Sequence, residues 1–449
     1  MLTDTPSPAG SRARFLETMR ERLSSTAALR SFIILSFFLY EVPYVRRLLS
    51  GEVWLRLPLW DVGFVDDSRT FVLLEGIYFG ASVLACFRRF VVPACLVAGT
   101  ASILLVSFDL TYRLQFAFLP GGALLAFGLT EILARKEDPR RRVDLPFVLF
   151  LGSIYGFASF HKYLNYHWMT TLLPSSVFSA PGGPAPAFCS GSDALFLSLI
   201  AWTVVPYEAL LAILTLTRRW LKLRLACVGL FHWLLVALVP YIWHVALYML
   251  CLHLYLALLQ RPALRQRMLV DRNWFVLIGA ECLFYAANTF APSIAGPFGV
   301  ILGAVGFANF VLFPVFFFYG PFWRADAAPV VASPLRWRGL TGAGVTAFGV
   351  LVVAFGFSPF LLEKHYSVLS LGWAMFAGGE YSDGTYFRLK TPDAPCFRCP
   401  AVYNMLWSET SDGQIQYLSF RRAELERLKR LFERRKCGGP PLQVEAARF

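Results

Sequence analysis

The chain has 449 residues, of which 57% are apolar and only 16% charged, with a mean hydropathy of +0.54. Soluble domains carry about a quarter charged residues, so these proportions exclude a disordered, collagen-like or small disulfide-stapled chain. They make a polytopic membrane protein the default expectation. The formal net charge is +13, but the cations gather between apolar runs, as in membrane proteins, and no basic groove motif is present. Nucleic acid is not an expected partner.

Residues 1–29 are polar and basic, with no cleavage-like small-residue site after a short apolar core. They are expected to form a cytoplasmic segment, followed by a retained helix rather than a removed signal. Apolar runs then fall at 30–45, 70–87, 90–108, 114–133, 145–163, 194–217, 225–241, 243–260, 273–291, 294–320 and 339–361. A span needs about twenty mostly apolar residues, so the expected fold is an all-α polytopic transmembrane bundle of about eleven spans over 30–361. Between Arg224 and Arg261 there is no Lys, Arg, Asp or Glu, and Pro240 interrupts the run. It reads as two short spans with a tight turn, one long bent helix being the alternative.

Cations set the orientation. With the N-terminus inside, Arg88 and Arg89, the group from Arg135 to Arg142, the group Arg218, Arg219, Lys222 and Arg224, and the group from Arg261 to Arg272 all fall inside. The loop 164–193 has no Lys or Arg and falls outside, while loop 46–69 with its four arginines is the exception. Residues 362–449 then form a small extracytoplasmic α+β segment. Asp-Gly signals in 380–391 and 411–420 point to a hairpin or small sheet. Leu425, Leu428, Leu431 and Phe432 form the apolar face of an amphipathic helix over 421–435.

Ionisable residues within apolar runs are costly and therefore mark function or specific packing. They are Glu41, Glu75, Lys162, Glu208 and Glu281, with His161, His167, His232, His244 and His253 nearby. Lys162 is placed either to snorkel from a helix end or, in a desolvated pocket, to serve as a neutral base. His232 is placed mid-run, as a structural hydrogen-bonding group or a partner of Lys162 in one cavity.

Five of the nine cysteines lie in apolar runs and are expected to pack as small hydrophobes. Cys396 and Cys399 form CFRC between Pro395 and Pro400. Without a thioredoxin-like βαβ context, this reads as a structural disulfide, or as pairing with Cys189 or Cys437. No zinc-ligand spacing, Rossmann fingerprint or P-loop is present, so no metal is expected.

Several segments occur in an order that resembles the vitamin K-dependent γ-glutamyl carboxylases and the related HTTM-domain membrane proteins. These are LYEVP (39–43), RLPLWD (56–61), GASVLACFRR (80–89), YGFASFHK (155–162), PYEALLAILTLTRR (206–219), LFH (230–232) and LGWAMFAGG (371–379). The resemblance covers roughly 29–260 and reaches loosely to 380. It implies Lys162 as catalytic base and His232 as an active-site group, with His161, Trp168 and Glu208 around the cofactor. The implied cofactor is vitamin K hydroquinone or a related quinol, which with dioxygen and carbon dioxide carboxylates glutamate in an exported peptide.

The chain departs from the family at Gln115 and Phe116, where the animal enzymes carry Asn-His, at Ser159 in place of Gly, and at Leu234 and Leu235. The outer domain is also much reduced. A non-carboxylating relative (another quinone-linked enzyme or a peptide maturation factor) is the alternative function. A transporter is the third class, although no internal pseudo-symmetry is evident.

Overall fold

In the computed structural model the described residues are 27–36, 68–87, 89–108, 110–134, 144–164, 194–218, 220–238, 243–260, 340–362, 385–390, 407–409, 415–417 and 443–448. Nine helices are present among them: α1 Ala27–Ser36, α2 Ser68–Ala85, α3 Val91–Phe108, α4 Leu110–Ala134, α5 Leu145–Leu164, α6 Ala194–Thr217, α7 Leu221–Leu238, α8 Trp243–Gln260 and α9 Leu340–Leu362. Each occupies one of the apolar runs. The runs at 273–291 and 294–320, Glu41, Glu281, His167, Trp168, the CFRC pair and the 421–435 segment lie outside the described residues.

The expectation of an eleven-span all-α transmembrane bundle with an outward α+β segment is corrected by these helices. Over the described residues, no helix is long and apolar enough to cross a membrane. Among these helices, α5 counts Ser153, Ser159 and the terminal pair His161 and Lys162 in its twenty residues. Several of the apolar runs carry polar groups that are buried in the interior. Glu75 in α2, Glu208 in α6, Arg224 and His232 in α7 and His253 in α8 are all buried.

The helices pack largely with their chain neighbours: α2 on α3, α3 on α4, α5 on α6, and α7 on α8. The pairs α5–α8, α5–α9 and α1–α8 close the bundle. Close approach of α3 and α4 depends on small residues. A Cβ on Gly99 would lie 2.8 Å from the Gly121 carbonyl oxygen, and one on Gly121 would lie 3.2 Å from that of Gly99.

An aromatic core joins α1, α4, α5 and α8. Phe127 meets Tyr255 at 4.5 Å and Phe147 at 4.8 Å between ring centroids, and Phe32 meets Tyr248 at 4.7 Å. The tilted and edge-on angles suit the ring quadrupoles and add roughly 0.5–1.5 kcal/mol per pair beyond burial.

At one end of α5, Asp144 precedes the helix and its carbonyl accepts from the Val148 N–H. Its carboxylate binds Arg218 at 3.0 Å and accepts from Gln260 Nε2 at 2.9 Å, tying the start of α5 to the ends of α6 and α8. Arg218 and Trp220 have φ of 60° and 54°, a left-handed backbone uncommon outside glycine, where α6 gives way to α7. The ion pair of Arg218 helps hold this turn.

Outside the bundle interior, the pattern is apolar. Leu73 (64% exposed), Ile213 (54%) and Val350 (62%) stand on the outer sides of α2, α6 and α9, with Trp233 and Leu234 on α7. Buried polar groups thus sit within an apolar core, and large apolar side chains also stand on the outside.

Four strands follow the helices: β1 Thr385–Lys390, β2 Trp407–Glu409, β3 Ile415–Tyr417 and β4 Gln443–Arg448. All pair antiparallel in the order β2-β3-β1-β4. The register sets Trp407 and Phe387 opposite Tyr417, and Leu389 opposite Val444. Ser411-Asp412-Gly413 lies in sequence between the β2 and β3 strands, a composition suited to a tight connection.

Candidate functional site

Helix α5 places Tyr155, Ser159 and Lys162 at offsets of four and seven residues, on one face. That face meets α6. The Ser159 hydroxyl donates to the Val205 carbonyl at 2.9 Å, which aligns Lys162 with Glu208 one turn further along α6. Lys162 Nζ and Glu208 Oε1 form a hydrogen-bonded ion pair, both side chains almost wholly out of solvent. Burial raises the pKa of Glu208, and the neighbouring Lys162 opposes that rise. Glu208 Oε2 has no hydrogen-bond partner among the described residues.

Two turns toward the start of α5, the Tyr155 hydroxyl and His232 Nε2 of α7 share a hydrogen bond of 2.8 Å. Both groups are buried. Desolvation lowers the His232 pKa to about 3 and raises that of Tyr155, so both stay neutral near neutral pH. A neutral imidazole offers one N–H and one lone pair, and Nδ1 remains for a further partner, being unpaired among the described residues.

His253 of α8 packs against Tyr155 at 5.5 Å between ring centroids. Phe231 stacks on Tyr207 at 5.5 Å and contacts Tyr155 edge-on at 6.5 Å. Residues of four helices thus contribute to these two buried polar pairs and to the aromatic contacts around Tyr155.

His161 is adjacent to Lys162 in sequence but points elsewhere. Its Nε2 donates to the Gly356 carbonyl of α9 at 2.9 Å, and its ring stacks on Phe157. It joins α5 to α9 instead of facing Glu208. The structure thus brings Lys162 together with Glu208 and His232 together with Tyr155, and turns His161 to a packing contact.

Sequence reasoning passed over Tyr155 and Arg224. Tyr155 shares a helical face with Lys162, a spacing signal present in the sequence. The charge pattern groups Arg224 with cations of an inside loop, yet it is fully buried in α7. Its position at the start of a run free of other charges was the available clue.

Removing the Tyr155 hydroxyl with Tyr155→Phe leaves His232 Nε2 without its partner. The expected cost is about 1–3 kcal/mol of unfolding free energy, measured by chemical denaturation. An unchanged midpoint and slope would show that the bond is not formed in solution.

Among the described residues, no group of three or more His, Cys, Asp or Glu side chains is arranged to hold a metal ion. No family model, curated protein or solved structure matches the chain.

Proposed function

We propose that this buried set carries quinol-dependent chemistry of the γ-glutamyl carboxylase kind, with Lys162 as the base. The observation that carries the reading is the buried Lys162–Glu208 pair, two helical turns along α5 from the Tyr155–His232 hydrogen bond. A hydroquinone fits these residues chemically. It presents two hydroxyl groups, and Glu208 Oε2 and His232 Nδ1, unpaired among the described residues, are buried polar atoms suited to them, with the flat rings of Tyr207 and Phe231 in the same group of helices. When bound, the quinol supplies reducing power toward dioxygen and, through it, a base strong enough to act on a glutamyl γ-carbon.

The protein's own part is proton handling. As base, Lys162 Nζ must present its lone pair to the bound hydroxyl, with Glu208 as its neighbour. It can then accept a proton from a bound hydroxyl, and Glu208 stabilises the resulting ammonium. His232 and Tyr155 orient the opposite polar edge without changing charge. The dry surroundings keep water from quenching a strong base.

The apolar outer faces of α2, α6, α7 and α9 support a lipid bilayer as the surface the protein works against and the source of a lipid-soluble quinol. An exported glutamate-containing peptide is the proposed acceptor. The second reading is a quinone-linked relative that does not carboxylate, which Phe116 favours in place of the family's His.

The test is incorporation of labelled carbon dioxide into a glutamyl peptide by the purified full chain with vitamin K hydroquinone and oxygen. The expected result is quinol-dependent incorporation. Oxygen uptake without incorporation would overturn carboxylation in favour of the relative, and neither activity would overturn both readings.

A further inference from the structure

Arg224 lies in the first turns of α7 and is completely buried. Its Nε, Nη1 and Nη2 all lack hydrogen-bond partners among the described residues. An isolated guanidinium in such a place is expensive, because nothing replaces the water it has lost. Asp144, the carboxylate whose field reaches Arg224, is already engaged by Arg218 and Gln260. Burial lowers the Arg224 pKa to about 10, which leaves it cationic at neutral pH.

His253 of α8 is also completely buried, and neither of its ring nitrogens is hydrogen-bonded among the described residues. Helix α7, which carries Arg224, packs on α8, and the ring centroid of His253 lies 5.5 Å from that of Tyr155. The charge of Arg224 reaches both His253 and Tyr155. Burial, reinforced by that charge, holds the His253 pKa well below its ordinary value, so the ring is a neutral donor and acceptor.

We infer that Arg224 and His253 form a binding site for a planar, singly charged carboxylate between α7 and α8. The guanidinium fork matches the two oxygens of such a group with parallel N–H donors, and the imidazole N–H adds a third. One cation balances one negative charge. A phosphate dianion would leave excess charge buried, so a carboxylate is the better match. Bicarbonate and a side-chain carboxylate share this chemistry. The inference stands on Arg224 and His253 and does not depend on the quinol reading.

Isothermal titration calorimetry on the full chain in detergent, with acetate, bicarbonate, N-acetylglutamate and phosphate at constant ionic strength, tests it. Saturable binding of at least one carboxylate is expected, tenfold or more tighter than phosphate. Tighter binding of bicarbonate or of N-acetylglutamate identifies the source. Arg224→Lys keeps the charge but loses the fork and should weaken binding tenfold or more, and His253→Gln should weaken it several-fold. Equal binding of phosphate, no saturable carboxylate binding, or unchanged affinity in Arg224→Lys would overturn the site. Should Arg224→Lys fail to fold, unchanged affinity in His253→Gln would overturn it instead.

Discussion

Lys162→Met is expected to abolish quinol-dependent turnover and to destabilise the protein, and the two effects are separable. Breaking a buried ion pair from one side leaves the other charge uncompensated, at a cost of about 3–5 kcal/mol. Here the stranded group is Glu208, which is buried and whose Oε2 has no hydrogen-bond partner among the described residues even before the change. Protonation of Glu208 relieves part of that cost, since burial already raises its pKa. Adding Glu208→Gln to Lys162→Met removes the stranded charge, so the double variant should recover much of the lost stability.

Turnover should not recover, because no amine remains to take the proton. Loss of a positioned base lowers rates by about 10²–10⁴-fold. Denaturation midpoints of the wild type, both single variants and the double variant, set beside their rates, check this. A double variant no more stable than Lys162→Met would show that the pair does not form, and retained turnover would remove Lys162 from the chemistry.

Gly122→Ala should cost about 1–3 kcal/mol through overpacking. A Cβ there would stand 2.2 Å from Phe150 Cε2, and Phe150 is fully buried between α4, α5 and α9. The ring has little space to move into, so the strain falls on the contact between α4 and α5. That contact holds the helix carrying Tyr155 and Lys162, and turnover should therefore fall with stability.

Gly76→Ala is the matched control. Gly76 is exposed on α2 with nothing within 4 Å of an added Cβ, and a helical Gly→Ala change there is worth roughly 0.5–1 kcal/mol in favour of folding. Equal midpoints for the two variants would contradict the tight packing of α4 on α5.

Much of the helix placement is legible in the sequence. The run at 145–163 is α5, Leu145–Leu164, and the break around Pro240 separates α7, ending at Leu238, from α8, starting at Trp243. Hydropathy locates such helices because both a protein interior and a lipid phase select apolar side chains. For the same reason it does not say which of the two an apolar run meets. Over the described residues, no helix satisfies the length and apolarity of a span.

The site was only half legible. Lys162, Glu208 and His232 stand out as costly residues in apolar runs, but the 46-residue separation of Lys162 and Glu208 conceals their pairing. Partner choice depends on helix rotation and on small steering contacts such as Ser159 to Val205. Neither has a one-dimensional signature. Arg224 shows the converse error. Position-counting assigns a cation at a helix start to a loop, whereas packing of α7 on α6 and α8 encloses it.

The central claim is that Lys162, held by Glu208, starts chemistry on a quinol. Oxygen uptake by the purified chain on addition of vitamin K hydroquinone, measured for wild type and Lys162→Met with both confirmed folded, tests it most directly. The account predicts quinol-dependent uptake in the wild type that falls by at least two orders of magnitude in the variant. Equal uptake in both, or none in the wild type with quinol bound, would contradict it.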